Sequence, residues 1–258
     1  MKTKEEIVKN WLPRYTDTPL EEFQPYVLLT NFHAYVSNFA AKLNVPIRGS
    51  DRPMTTASVP EKGLMIINFG IGSANAALVM DLLGAVKPKA TLFLGKCGGL
   101  KKKTKVGDFI LPIAAMRGEG TSDDYFDQKV PALPSFLIQK EVSESVLRHG
   151  ADYYTGTIYT TNRRVWEHDE KFKDYLSHVR AIGIDMETAT LFLTGFANEI
   201  PKGALLLVTD QPMIPEGVKT AESDNQVNRE FTDRHLEIGI DALINIREKG
   251  LSVKHLRF

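Results

Sequence analysis

Short apolar runs alternate with helix-spaced apolar patterns along most of the 258 residues, and that alternation constrains the fold more than any other feature. The runs YVLLTN (26–31), LMIINFG (64–70), TLFLG (91–95), DFILPIAAMR (108–117), YYTGTIYTT (153–161), AIGID (181–185) and ALLLVTD (204–210) read as buried strands. Residues 32–43, 73–86, 135–148, 164–178, 186–198 and 222–249 carry apolar positions at helical spacing. Strands interleaved with helices predict an α/β fold, with a mostly parallel sheet covered by helices on both faces. The stretches 45–62 and 118–134, with their Pro, Gly, Asp and Ser, predict loops over that sheet. No repeat, low-complexity tract or linker interrupts the chain, so residues 1–258 are read as a single domain.

Such sheets bind ligands beyond the C-terminal ends of their strands. The polar residues that stand out collect there: Asn31, Lys96, Arg117, the 160–164 segment, Glu187 and Asp210. The turn in NFGIGSANAALVMDLL (68–83) tests one ligand class directly. Gly70 and Gly72 fill the first two places of a G-x-G-x-x-G dinucleotide fingerprint, but Asn75 fills the third, where close helix packing needs a small residue. The acid required about 20 residues further on is missing too, since LFLGKCGGL (92–100) offers only Lys96. The turn is therefore not read as an NAD site.

Bulk properties remove other classes. Lys plus Arg equals Asp plus Glu, 32 against 32, so the chain lacks the basic surplus of a nucleic-acid binder. KKKTK (101–105) is read as a solvated loop between two strands, and the zero net charge is compatible with self-association. The single cysteine, Cys97, sits beside two glycines and is read as a small core residue in a reducing compartment. No Cys/His cluster has metal-binding spacing, and neither a signal peptide nor a membrane span is legible, which points to a cytoplasmic protein.

Two motifs carry chemistry. In GIDMETATLF (183–192) a strand ends at Ile184, Asp185 caps a helix starting at Met186, and Glu187 lies in the first turn. Glu187 is then either a carboxylate favoured by the helix dipole or a ligand-binding group. In ALLLVTDQP (204–212) a core strand delivers Asp210 to its C-terminal end. Asp210 is either a turn residue or an acid whose proton affinity rises with burial.

GIGSANAALV, GKCGGL, KVGDFILP, RGEGTSDDYF, GTIYTTNRRVWE, GIDMETATLF and VTDQP occur in the order found in the nucleoside phosphorylase and nucleosidase superfamily. Together with LTNFHAYV, GKCGGL and TTNRRVWE, they make the chain resemble the AMP nucleosidase family within it, from FQPYVLLTNFHAYV (23–36) to the terminal KHLRF (254–258). The resemblance implies a three-layer α/β/α domain around a mixed sheet. It implies no N-terminal regulatory domain of the kind longer members carry, and no metal or organic cofactor. It also implies a homo-oligomer, a hexamer of paired subunits, in which a neighbour completes the 5′ end of the pocket.

Residue by residue, the resemblance implies that Met186 and Glu187 line the ribose pocket and that Glu187 accepts the 2′- and 3′-hydroxyls. Asp210 would donate a proton at purine N7, while Tyr159, Thr161 and Trp166 would wall the base. Gly70 and Gly72 would let the backbone approach the sugar. Phosphorylases of the superfamily hold phosphate with arginine and serine, where this chain has Asn31, Tyr35, Phe93 and Lys96, so water is the expected nucleophile. The expected reaction is hydrolysis of AMP to adenine and ribose 5-phosphate, with Lys96, Arg117, Arg163, Arg164, Arg48 and Arg52 as candidate 5′-phosphate partners. A purine nucleoside phosphorylase, a hydrolase of unphosphorylated nucleosides and a non-catalytic nucleotide-binding protein remain the alternatives.

Overall fold

The computed structural model describes residues 2–220, 222, 227 and 229–252. Helix α1 (Lys4–Thr16) leads into strand β1 (Tyr26–Thr30), helix α2 (His33–Leu43), and strands β2 (Ile47–Arg48), β3 (Thr55–Val59) and β4 (Leu64–Asn68). Helix α3 (Ser73–Leu83) and strands β5 (Ala90–Gly99) and β6 (Phe109–Gly118) follow. Then come α4 (Phe136–Arg148), β7 (Tyr153–Thr161), α5 (Glu170–His178), β8 (Gly183–Asp185), α6 (Thr188–Ala197), β9 (Lys202–Asp210) and α7 (Thr232–Glu248). The strands form one nine-stranded sheet in the order β2-β3-β4-β1-β5-β8-β7-β6-β9. β1 is parallel to both β4 and β5, whereas β3 lies antiparallel to β4 and β8 antiparallel to β5. The sheet is mixed, as expected.

Alternation along the strands explains the three layers, because successive side chains point to opposite faces. Val27, Leu29, Met65 and Ile67 pack with Leu12 of α1, Val79 of α3 and Phe192 of α6. Their neighbours Leu28, Leu64 and Ile66 pack on the other face with Phe39 of α2, Val142 of α4 and Leu243 of α7. One further pairing shapes the site: β5 also runs parallel to β9, from Thr91↔Lys202 to Gly98↔Asp210. β5, β8, β7, β6 and β9 are thereby closed into a ring, and β1 to β4 extend from it as an open limb.

Several boundaries differ from the sequence reading. Residues 45–62 are not all loop, because the β-branched stretch TTASV pairs as β3 along the full length of β4. Helix α1 was not expected; its buried Val8, Leu12 and Thr16 form a narrow stripe in an otherwise polar segment. The helix expected over 164–178 begins only at Glu170, where the Asp169 carboxylate accepts the Phe172 N–H at 3.1 Å. Within the helix expected over 222–249, α7 covers 232–248, and part of the segment before it lies outside the described residues, as does the terminal KHLRF.

Candidate active site

A cleft of about 300 Å³ opens where β1, β5, β8 and β9 end, lined by residues that include Asn31, Lys96, Thr161, Arg163, Arg164, Trp166, Met186, Glu187 and Asp210. Both carboxylates expected from the sequence reach it, Glu187 buried and Asp210 half-buried. Glu187 is 2% exposed. Its helix starts two residues later than the sequence suggested, at Thr188, because Asp185 turns its carboxylate onto the helix N-terminus. Asp185 Oδ2 accepts the Thr188 N–H at 2.8 Å and the Glu187 N–H at 3.3 Å, and Oδ1 accepts the Thr160 hydroxyl at 2.7 Å. Glu187 is left at the N-cap position with its side chain free to face the cleft.

What meets Glu187 is backbone. The Gly72 N–H donates to Oε1 at 2.8 Å, and the Ser73 hydroxyl ties the same turn to the Met186 carbonyl at 2.7 Å. Gly72 has φ 98°, a conformation costly for any residue with a Cβ, so glycine there aims its N–H at the carboxylate. This corrects the expected role of the glycines: Gly70 and Gly72 do not line the cleft, and Ile71 between them does. Burial, reinforced by the Asp185 charge and opposed by the Gly72 N–H and the Asn31 side chain, raises Glu187 to about 8. Among the described residues, no cation forms an ion pair with it.

Asp210 terminates β9 beside Gly98 of β5. The Thr209 hydroxyl donates to its Oδ1 at 2.7 Å. Burial raises its proton affinity, while Lys219 and Arg164 pull the other way. Cys97, also in the lining, is fully buried and its thiol is pushed well up, so it is an inert wall residue.

The other expected residues divide. Asn31, Lys96, Thr161, Arg163, Arg164, Trp166 and Met186 are in the lining. Arg163 pairs with Asp169 and Arg164 with Glu167, each at 2.8 Å. Tyr159 is not in the lining; it packs edge-on against Phe172 and Tyr175 in the small core behind the wall. Arg117 is a second correction. Its guanidinium is consumed by the 122–130 loop, donating to the Ser122 hydroxyl, the Asp123 carboxylate and the carbonyls of Phe126, Asp127 and Val130. Arg48 and Arg52, paired with Glu22 and Asp51, also stand outside the lining.

A family model described as the phosphorylase superfamily matches residues 25–245, which spans every strand of the sheet. The chain belongs to the phosphorylase superfamily. Among its relatives, AMP nucleosidase of Escherichia coli K12 is 30% identical over 93% of this chain, which spans 58% of that longer protein. A crystal structure of AMP nucleosidase from Bacteroides thetaiotaomicron superposes with a TM-score of 0.85 and 56% identity, covering 96% of this chain and 100% of that one. A purine nucleoside phosphorylase structure from Toxoplasma gondii, at 18% identity and a TM-score of 0.76 over 90% of this chain and 95% of that one, shares the fold.

In this superfamily member, the lining also holds three charged residues that the sequence reading did not single out for the site. Lys219 lies in an aperiodic segment, with its ammonium 6.0 Å from the centre of the Phe32 ring; Lys96 sits over the same ring at 4.3 Å. Glu167 accepts the Trp166 N–H as well as Arg164, and Asp185 is the capping acid described above. Of these, only Asp185 gave a signal in the sequence, as a helix cap. Among the described residues no helix is long and apolar enough to cross a membrane.

Proposed function

We propose that the chain hydrolyses the N-glycosidic bond of AMP, giving adenine and ribose 5-phosphate. The observation that carries this reading is the pair of carboxylates facing one cleft, Glu187 buried and Asp210 half-buried, with neither in an ion pair among the described residues and burial raising the proton affinity of both. The 56% identity to the Bacteroides AMP nucleosidase supports the choice of substrate.

Each residue then has a role set by its surroundings. Adenine leaves poorly as an anion, so the leaving base needs a proton. Burial shifts Asp210 toward its protonated form, which suits it to deliver a proton to N7 as the bond breaks. Glu187 accepts the 2′- and 3′-hydroxyls, whose donation favours the carboxylate. That negative charge then stabilises the cationic ribosyl group in an oxocarbenium-like transition state. Trp166 and Thr161 wall the base, Met186 packs on the sugar, and Lys96, Lys219, Arg163 and Arg164 supply positive charge for the 5′-phosphate. A neighbouring copy in a hexamer completes the 5′ end. The apolar rim residues Ile71 and Val165, 59% and 69% exposed, support such a cover.

Product analysis tests the reading. Incubation with AMP in phosphate-free buffer is expected to release adenine and ribose 5-phosphate. A requirement for phosphate, with ribose 1,5-bisphosphate as product, would make the chain a phosphorylase instead.

A further inference from the structure

Three buried side-chain polar atoms have no hydrogen-bond partner among the described residues: Asn31 Oδ1 and the hydroxyls of Thr55 and Thr232. Only Asn31 faces the cleft. A buried acceptor left unpaired in a native fold calls for a partner that arrives from outside the chain, such as an ordered water. Asn31 is 9% exposed, and its amide side chain also faces the Glu187 carboxylate. Its position is fixed from behind, because the Thr30 hydroxyl donates to the Leu94 carbonyl at 3.2 Å and accepts the Phe32 N–H at 3.3 Å.

The topology says which partner. Asn31 follows β1 and Asp210 ends β9, with β5 between them and paired to both. Two strand spacings of nearly 5 Å put those strands about 10 Å apart. With the base beside Asp210, the anomeric carbon lies over β5 and Asn31 lies on the far side of it. A nucleophile displacing the base must come from that side.

We propose that Asn31 is a positioning residue that holds the attacking water, accepting one of its hydrogens at Oδ1 so that a lone pair faces the anomeric carbon. This rests on the hydrolase reading. As the carbon–N9 bond breaks, its electron pair passes to the base, and Asp210 protonates N7. The water oxygen forms the new bond to carbon. The water's surplus proton is released to solvent, and Asp210 is reprotonated from solvent.

The test is nucleophile selection. In water–methanol mixtures the wild-type enzyme is expected to give mainly ribose 5-phosphate. Asn31→Ala should lower kcat for AMP about 100-fold with KM within about twofold, since a misplaced reactant costs rate rather than substrate binding. The ratio of methyl riboside 5-phosphate to ribose 5-phosphate should rise several-fold at the same time. Asn31→Leu, close to asparagine in shape, should behave alike and serves if the alanine variant melts early. An unchanged product ratio, or a raised KM with kcat intact, overturns the proposal and assigns Oδ1 to a ribose hydroxyl. If wild-type enzyme makes no ribose 5-phosphate without phosphate, the hydrolase reading itself has failed, and that result is separate.

Discussion

Arg117 and Glu187 are both ionisable side chains sealed from water near the ends of one sheet's strands, yet they are treated in opposite ways. The Arg117 side chain, 6% exposed, has its guanidinium N–H groups directed at five oxygen acceptors, one of them the Asp123 carboxylate at 2.8 Å. Glu187, 2% exposed, has two backbone N–H donors, at Gly72 and Met186, and the nearby Asn31 amide. Its nearest charge of note, Asp185, is of the same sign and raises it further. A charge that is buried and fully satisfied holds a loop in place. An acid that is buried and left short of partners costs stability whenever it ionises, which is the arrangement a ligand-binding group calls for.

The largest effect expected from breaking this contrast is at the cleft's second acid. Asp210→Asn keeps the shape and a donor toward N7 but cannot transfer a proton, so kcat should fall about 10²–10⁴-fold with little change in KM. Near-full activity in a folded variant would remove Asp210 as the acid. Arg117→Met should do the reverse, with stability lower by about 3 kcal/mol in a urea melt and kcat per folded molecule unchanged. A selective loss of AMP binding instead would return Arg117 to the list of phosphate partners.

A smaller, pH-dependent effect belongs to Glu187. Its pKa is raised from 4.5 to about 8 on folding, so the native state gives up stability as pH climbs between those values. Glu187→Gln should therefore melt at nearly the wild-type temperature near pH 4 and above it at pH 8. AMP binding should release a proton between pH 7 and 8, where the phosphate is already dianionic, and calorimetry in buffers of different ionisation enthalpy reads this. The smallest effect is at His235, fully buried between the Tyr35 hydroxyl and the Leu205 carbonyl and lowered to about 3. Its stabilisation is complete above pH 6.5 and is lost toward pH 3, at up to about 1.4 kcal/mol per pH unit. His235→Gln should flatten that slope in acid melts without touching turnover at neutral pH.

Glu187 and Asp210 were legible because a buried strand announces itself by its apolar run, and the polar residues within a few positions of where that run stops emerge at the strand's end. The same logic misplaced Arg117, since a strand end does not say whether the side chain turns to the cleft or to its own loop. Lys219 and Glu167 gave no signal, lying in segments without periodicity, and the β3 strand was hidden by threonines that count as polar in a pattern but fit a buried sheet. The ring closure was illegible for another reason, since alternating strands and helices say nothing about which strands meet last.

That closure governs when the cleft can exist during folding. Cys97 on β5 and Thr209 on β9 are 112 residues apart in sequence, and the wall they share forms only when the ninth strand docks. Contacts this distant along a chain close slowly, because the loop-closure entropy is lost before they form. A nascent or truncated chain lacking β9 keeps Glu187 but has neither Asp210 nor the strand that carries it, so the site is incomplete until that strand is in place.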